Sequence, residues 1–190
     1  TYAVTVDALG LGARVLHVPA ASTVVTLTNV YLQSGMAALG AGIYNAGQLS
    51  LISSAVLYGD AQHGDGGGIY NTGALRLSNS YVTSNGNAAR GGGIFHAGTA
   101  LDVDASLLEG NYSYLEGDLG GGLFATANAR FTNTVFLGNY AAEAGGGIYA
   151  TSGAHISLLN VTFVHNAANV GAAIMGDASA WQMQVRNTIF

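Results

Sequence analysis

The 190-residue chain has no cysteine, no lysine and a single proline, and only 8% of its residues are charged, against about 25% in an ordinary soluble domain. Without cysteine, the chain has neither a disulfide framework nor reactive thiols. Its five arginines are scattered among ten carboxylates, so there is no basic stripe and nucleic acid is not expected as a partner. No apolar run approaches the roughly 20 residues that span a bilayer as a helix.

The chain is instead rich in glycine, with 29 glycines in a composition that is 49% hydrophobic. Disordered linkers would also be rich in proline and polar residues, so disorder is not expected. Many glycines fall in one motif, which reads GGGIY at 66–70 and 145–149, GGGIF at 91–95 and GGGLF at 120–124. Glycine loses more backbone freedom on folding than any other residue, so its repeated use requires a structural reason.

Two sequence marks recur along the chain with the same period. The first mark is the Ile or Leu of the glycine motif, which recurs at spacings of 25 to 29 residues: Ile43, Ile69, Ile94, Leu123, Ile148 and Ile174. The second mark ends segments of the form apolar-x-apolar-x-Asn, at Asn29, Asn79, Asn133, Asn160 and Asn187, with Ser54 and Ala105 in the two remaining places. The shared period indicates a repeat array.

Each period contains short segments of alternating polarity between Asn-, Gly- and Ala-rich turns, without a helical pattern of useful length. These features predict an all-β fold, a single parallel β-helix (β-solenoid) of about seven rungs with roughly 25–27 residues each. One domain is expected over residues 1–190, with an N-terminal strand and first partial rung at 1–23 and the repeat array at 24–190. Equivalent residues of successive rungs would lie ~4.8 Å apart.

Alternation of strand side chains assigns two apolar columns to the interior. Two residues before the Asn mark stand Leu27, Ile52, Leu77, Val103, Phe131, Leu158 and Val185. Three residues after it stand Leu32, Leu57, Val82, Leu108, Phe136, Phe163 and Phe190. The glycines would let the third strand of each rung approach its neighbours closely, or turn with a positive φ where a Cβ would clash.

The Asn marks are interpreted as structural rather than catalytic. An Asn repeated at an inward turn can hydrogen-bond the backbone and the amide of the adjacent rung, which satisfies buried polar groups. A second row at the next turn invites the same interpretation: Asn85, Asn111, Asn139 and Asn166.

The repeat resembles a known type. The segment TVFLGNYAAEAGGGIY at 134–149, with FVHN at 163–166 and GGGIF at 91–95, is similar to the repeat of the chlamydial polymorphic outer membrane proteins, with its Phe-x-x-Asn and Gly-Gly-Ala-Ile signatures. It also resembles the right-handed β-helix repeats of large bacterial surface proteins. The resemblance covers about residues 24–190 and implies a right-handed coil, export, an extracellular or cell-surface location, and adhesion rather than catalysis.

One column of the repeat carries alternating charge. Pectate-lyase-like β-helix enzymes need clustered carboxylates and a basic residue on one exposed strand face. The nearest candidate column lies three residues before the Asn mark and comprises Thr26, Leu51, Arg76, Asp102, Arg130, Ser157 and Gln184. Its central charges favour an ion-pair ladder that fixes register, with a catalytic site as the alternative. Asp104 shares the face of Asp102 without a third carboxylate, and the histidines lack ligand spacing, so neither a metal nor a cofactor is expected.

The longest turn of the array, NYSYLEGDL at 111–119, interrupts the repeat. Loops that break a repeat often carry function. Its side chains Tyr112, Tyr114, Glu116 and Asp118 could bind a sugar or calcium, and the alternative is an insertion without a function.

Two further columns are apolar and are expected on the outer surface, unless the alternation changes phase at a turn. The first follows the glycine-motif mark and comprises Tyr44, Tyr70, Phe95, Phe124, Tyr149 and Met175. The second lies two residues after the Asn mark and comprises Tyr31, Val56, Tyr81, Leu107, Val135, Thr162 and Ile189. Large exposed apolar patches are unusual on monomers, so these columns are candidates for self-association or for stacking on sugar rings.

The terminal segments read as open rungs. WQMQVRNTIF at 181–190 begins another rung, and TYAVTVD at 1–7 is a short alternating strand, each without a polar cap. Such ends predict head-to-tail stacking into a filament or surface layer. The expected function is therefore that of a non-catalytic, extracellular or cell-surface structural or adhesive solenoid, with itself, surface glycans or a host or neighbouring cell surface as partners. The alternative is a carbohydrate-active enzyme or carbohydrate-binding module of the pectate-lyase-like type.

Overall fold

A computed structural model describes residues 3–177 and 181–190 of the chain. Residues 1 and 2 of the predicted N-terminal strand lie outside the described residues. The described residues form twenty-five short strands and no helix. No helix that could cross a membrane is therefore found in this part of the chain.

The strands wind repeatedly around one axis and build three seven-stranded parallel sheets. Sheet one comprises β3 (Val24–Thr28), β6 (Gln48–Ile52), β10 (Ala74–Ser78), β14 (Ala100–Asp104), β18 (Ala129–Thr132), β22 (His155–Leu159) and β25 (Gln182–Arg186). Sheet two comprises β1 (Val4–Asp7), β4 (Val30–Gln33), β7 (Ala55–Leu57), β11 (Tyr81–Thr83), β15 (Leu107–Glu109), β19 (Val135–Leu137) and β23 (Thr162–Val164). Sheet three comprises β2 (Leu16–Val18), β5 (Ile43–Asn45), β9 (Ile69–Asn71), β13 (Ile94–His96), β17 (Leu123–Ala125), β21 (Ile148–Ala150) and β24 (Ile174–Gly176).

Two short strand pairs complete the connection from sheet two to sheet three. β8 (Asp60–Asp65) pairs with β12 (Gly86–Arg90), and β16 (Tyr112–Ser113) pairs with β20 (Tyr140–Ala141). Within each of the three sheets a strand pairs with the equivalent strand of the neighbouring rung, as the period predicts.

The two predicted interior columns pack along the axis and form the core. Leu77, Val103, Phe131 and Leu158 are buried from sheet one, and Val82, Leu108, Phe136 and Phe163 are buried from sheet two. The phenyl rings of Phe136 and Phe163 stack with centroids 4.8 Å apart. Ile94 and its equivalents from sheet three close the core from the third side.

The predicted register is wrong by one residue in the second rung. Ser53, not Ser54, occupies the place of the Asn mark, because Leu51 pairs with Leu77 and Ile52 pairs with Ser78. A slip of one residue exchanges the two faces of a strand. Three assignments change with it: Ile52 is 38% exposed, Val56 is buried in the core, and Leu57 faces outward. Ala55 and Ser50 take the places predicted for Val56 and Leu51.

The Asn marks lie at a left-handed corner, and they point outward rather than inward. All seven residues at this corner have φ between 47° and 56°: Asn29, Ser53, Asn79, Ala105, Asn133, Asn160 and Asn187. Asn adopts this conformation more readily than most residues. The side chains then contact each other on the surface, since the Asn160 amide donates to Asn133 Oδ1 at 3.0 Å and the Asn133 amide donates to Asp104 Oδ1 at 3.2 Å.

The second Asn row forms the predicted interior ladder. The side-chain amide of Asn85 donates to Asn111 Oδ1 at 3.0 Å, that of Asn111 to Asn139 at 2.9 Å, and that of Asn139 to Asn166 at 2.9 Å. Each amide also donates to a carbonyl of the preceding rung, as Asn111 does to Val82 at 2.9 Å. The first three members are fully buried, so the ladder satisfies polar groups that water cannot reach.

The glycine motif combines both predicted reasons for glycine. Gly66 has a φ of 67°, a left-handed conformation that favours glycine. A Cβ on Gly68 would lie 2.7 Å from the carbonyl oxygen of Gly93 in the next rung. The motif therefore turns the chain and then brings successive rungs into close backbone contact.

Candidate functional site

The outer side of sheet one carries polar and charged side chains on neighbouring strands and is called the polar face here. Because side chains alternate, every second residue of these strands points away from the core. The polar face comprises Thr26, Ser50, Arg76, Asp102, Arg130, Ser157 and Gln184, with Gln48, Asp104, Thr132, His155, Gln182 and Arg186 beside them. Three depressions of about 300 to 380 Å³ open along it.

Arg76, Asp102 and Arg130 lie on adjacent rungs in the predicted order. The predicted ion-pair ladder is nevertheless not formed, because the only ion pairs among residues 3–177 and 181–190 are His63–Asp118 and Arg90–Asp65. An exposed pair on neighbouring strands gains little over separate hydration of the two charges, typically about 0–1 kcal/mol. The charged groups of the polar face are therefore free of one another.

The polar face offers charged and neutral hydrogen-bonding groups in one strip. Two depressions share Asp102, and all three share Arg130. Asp104 shares the face of Asp102, as predicted, and its Oδ1 accepts the Asn133 amide. Within the described ranges no group of three or more His, Cys, Asp or Glu side chains could hold a metal ion.

The predicted aromatic column of sheet three lies outside the core as a continuous stack. Tyr44, Tyr70, Phe95, Phe124 and Tyr149 have successive ring centroids 4.8 to 5.4 Å apart and nearly parallel planes. Met175 continues the register beyond the last ring. Burial, with a smaller contribution from Asp65, raises the pKa of Tyr70 above its ordinary value.

This aromatic column is not the open apolar patch that the sequence predicts. Phe95 is 5% exposed and Phe124 is 3% exposed, and the Arg90 guanidinium lies 5.1 and 5.4 Å from the two ring centroids. Asp65 fixes that guanidinium by two hydrogen bonds, at 2.6 and 2.9 Å. The covered rings cannot offer their faces to a ligand, and the half-buried tyrosines on either side present only part of their surface.

The second predicted outer column, on sheet two, is exposed at intervals. Tyr31, Tyr81 and Ile189 are exposed, whereas Leu107 and Val135 are half-buried. Apart from the second-rung slip, the structure therefore places this column on the side that alternation predicts.

The loop at 111–119 contains both exposed and buried predicted site residues. Tyr112, Tyr114 and Glu116 are exposed, but Asp118 is only 3% exposed. The Asp118 carboxylate accepts the Leu115 amide at 2.9 Å and lies 3.2 Å from His63 Nε2. Asp118 is thus an internal anchor of the loop rather than an open ligand for calcium.

Two buried ladders of polar side chains are not predicted from the sequence. Ser54, Ser80 and Ser106 directly follow the corner, and each serine hydroxyl accepts a backbone amide of the preceding rung at 3.0 to 3.2 Å. Asn45 and Asn71 form a second ladder at the end of sheet three, which ends at His96. The repeat period could have revealed the serines, whereas His96 differs chemically from its aligned neighbours.

Rungs of three parallel sheets around a filled core define a parallel β-helix. A family model described as the right-handed beta helix region matches residues 15–190, and the chain belongs to this family. Comparison with curated proteins gave no significant match. Comparison with solved structures likewise gave no significant match.

Proposed function

We propose that the chain is an exported, non-catalytic β-helix that binds glycans of a host or neighbouring cell surface through its polar face. The observation that carries this proposal is the strip of charged, hydroxyl and amide side chains on the seven strands of sheet one, whose charged groups form no ion pairs with one another among the described residues. Such a strip extends over roughly 29 Å at the ~4.8 Å spacing of neighbouring strands. Its length and hydrogen-bonding groups suit an extended, hydroxyl-rich polymer.

The similarity of the repeat to bacterial surface proteins supports export and an extracellular or cell-surface location. The depressions of the polar face are open to solvent, which supports binding without chemistry, since catalytic sites commonly exclude water around the reacting atoms. A second candidate, a polysaccharide lyase or hydrolase, is favoured by the position of Asp102 between Arg76 and Arg130.

One experiment separates the two candidates. The purified chain is incubated with insoluble and soluble polysaccharides, and co-sedimentation, new reducing ends and unsaturated products are measured together. Binding without product formation supports the proposal, whereas time-dependent product formation that Asp102→Asn abolishes would establish the enzyme. No retention on any polysaccharide would contradict the proposed binding function.

Matched variants then locate the binding surface. Arg130→Ala and Asp102→Asn alter the polar face, while Glu109→Gln makes the same carboxylate-to-amide change on sheet two of the same rung. Reduced retention of Arg130→Ala with unchanged retention of Glu109→Gln is expected. If all three variants are retained as strongly as the wild-type chain, the polar face is excluded as the binding surface.

We also propose that copies of the chain stack end to end into a filament. Among the described residues, the outermost strands of the sheets pair on one side only, and exposed apolar side chains lie beside them, with Val4 in β1 and Ile189 and Phe190 beyond β25. The Phe190 ring already stacks on Phe163 at 5.2 Å, which is the contact that a further rung would continue. Joining unlike ends repeats without closing, so the product is a filament.

Size-exclusion chromatography and negative-stain microscopy test this assembly. Ile189→Lys is expected to hinder it, because the added charge would enter the end contact. Tyr81→Lys changes an exposed residue of the same outer column away from both ends, and assembly should survive that change. A monomeric wild-type chain at every concentration would overturn the assembly proposal.

A further inference from the structure

We propose that Tyr112, Tyr114, Asn87 and Asp60 form a binding site for one ring of a neutral saccharide. The site lies in the connection from sheet two to sheet three, so it is separate from the polar face. It therefore extends the proposed function to a second surface and does not depend on ligand binding by sheet one.

Two tyrosine rings supply an exposed platform. Tyr112 is 37% exposed and Tyr114 is 48% exposed, and their ring centroids are 5.7 Å apart with planes tilted by 36°. A Cβ on Gly86 would lie 2.6 Å from the Tyr112 ring, so glycine in the preceding rung makes room for this ring. Tyr140, also exposed, occupies the equivalent place in the next rung and extends the aromatic surface along the axis.

Polar groups border this platform in a connected chain. The Tyr114 hydroxyl donates to Asn87 Oδ1 at 3.1 Å, and the Asn87 amide donates to Asp60 Oδ1 at 2.7 Å. The Gln62 backbone amide donates to the same Asp60 oxygen at 2.8 Å. Neither the other carboxylate oxygen of Asp60 nor the Tyr112 hydroxyl has a hydrogen-bond partner among the described residues, so both can serve a ligand.

The loop that carries the tyrosines is held in place before a ligand arrives. Buried Asp118 binds the Leu115 amide and His63 through its carboxylate. The Asp118 carbonyl accepts the Glu143 amide at 3.1 Å, and the Leu119 amide donates to the Ala89 carbonyl at 3.0 Å. A preorganised loop lowers the entropic cost of binding.

The chemistry of the site favours a neutral sugar ring. Sugar rings have an apolar face that packs on an aromatic platform and hydroxyls that donate to a carboxylate. Asp60 and exposed Glu116 make the surroundings acidic, and the guanidinium of Arg90 is held by Asp65, so an acidic sugar would be repelled. A quaternary ammonium ion is bound by several rings arranged around it, whereas Tyr112 and Tyr114 provide only two rings, tilted by 36° to each other.

Saturation-transfer NMR and isothermal titration calorimetry on the full chain test the site. The probes are neutral gluco-, manno- and xylo-oligosaccharides, an oligogalacturonate and tetramethylammonium. At least one neutral oligosaccharide should bind, and Tyr112→Ala should weaken its binding about tenfold. Tyr114→Phe keeps the ring and removes only its hydrogen bond to Asn87, so a smaller loss is expected.

Controls make the result specific to this platform. Tyr31→Ala removes an exposed tyrosine from β4 of sheet two and should leave binding unchanged. Arg130→Ala on the polar face should also have no effect, which separates this site from the glycan-binding function of sheet one. Circular dichroism and thermal midpoints confirm that each variant is folded.

Three results would overturn the assignment. The first is the absence of Tyr112-dependent binding of any neutral oligosaccharide in the panel. The second is Tyr112-dependent binding of the oligogalacturonate in preference to every neutral probe. The third is binding of tetramethylammonium at this platform in place of the sugars.

Discussion

His96 should make the stability of the solenoid depend on pH. Its imidazole is fully buried at the end of the Asn45–Asn71 ladder. The Asn71 side-chain amide lies 2.9 Å from Nδ1, and Nε2 lies 3.0 Å from the Asn128 carbonyl oxygen. The neutral ring with its proton on Nε2 satisfies both contacts, because Nδ1 then accepts and Nε2 donates. A second proton on Nδ1 would face the Asn71 amide, which also donates.

Burial lowers the pKa of His96 below its ordinary value of 6.5, and the hydrogen bond to Asn128 opposes this shift only in part. The unfolded chain therefore takes up a proton at a higher pH than the folded chain does. The associated stability is fully present above pH 6.5 and is lost as pH falls toward the pKa of the folded state. Over that interval the free energy of unfolding should fall by up to about 1.4 kcal/mol per pH unit.

Urea unfolding at several pH values between 7.5 and 5.0 measures this slope, and NMR of the imidazole protons gives the pKa of His96 directly. His96→Asn removes the titrating group and extends the amide ladder, so the variant should show a flatter profile over the same interval. Exposed His155→Asn is the matched control and should leave the slope unchanged. The reasoning fails if His96 titrates at 6.5 or above in the folded chain, or if His96→Asn keeps the wild-type slope.

Four further substitutions test the packing of the rungs by denaturant unfolding. Asn111→Ala leaves buried ladder partners unsatisfied and should cost about 1–3 kcal/mol, whereas Asn160→Gly, which removes the exposed corner side chain but tolerates the left-handed φ, should cost less than about 0.5 kcal/mol; equal losses would refute the distinction between the two rows. Ser113 Oγ is buried without a hydrogen-bond partner, so Ser113→Ala should preserve or raise stability by up to about 1 kcal/mol, and a large loss would contradict this. Gly68→Ala should cost about 1–3 kcal/mol or more, because its Cβ would meet the Gly93 carbonyl at 2.7 Å; an unchanged midpoint would disprove the contact argument.

The repeat period predicts the path of the chain because equivalent residues of successive rungs make the same packing contacts. Leu77 and Phe163 are interior for the reason the sequence suggests: each stands in an apolar column that alternation turns inward. The predicted register is wrong only in the second rung, where two adjacent serines, Ser53 and Ser54, both fit the pattern of the corner position. The left-handed φ of Ser53, which distinguishes them, is a backbone property that composition does not encode.

The candidate sites are less predictable because they depend on contacts between rungs. The charge order of Arg76 and Asp102 is visible in the sequence, but the absence of an ion pair between them is not. Phe95 lies in an outward column, yet Arg90 from a neighbouring turn covers it. Asp118 likewise turns inward to His63, a partner 55 positions away along the chain.

The strand pairing of successive rungs has a consequence for how the molecule can change in length. Because the strands of each rung pair only with those directly above and below, duplication of one repeat adds a complete turn without disturbing the strand pairing of distant ones. Each added turn would extend the polar face by one strand spacing, about 4.8 Å. The length of the solenoid thus depends on the number of repeats. Recombination between near-identical glycine motifs can add or remove whole repeats.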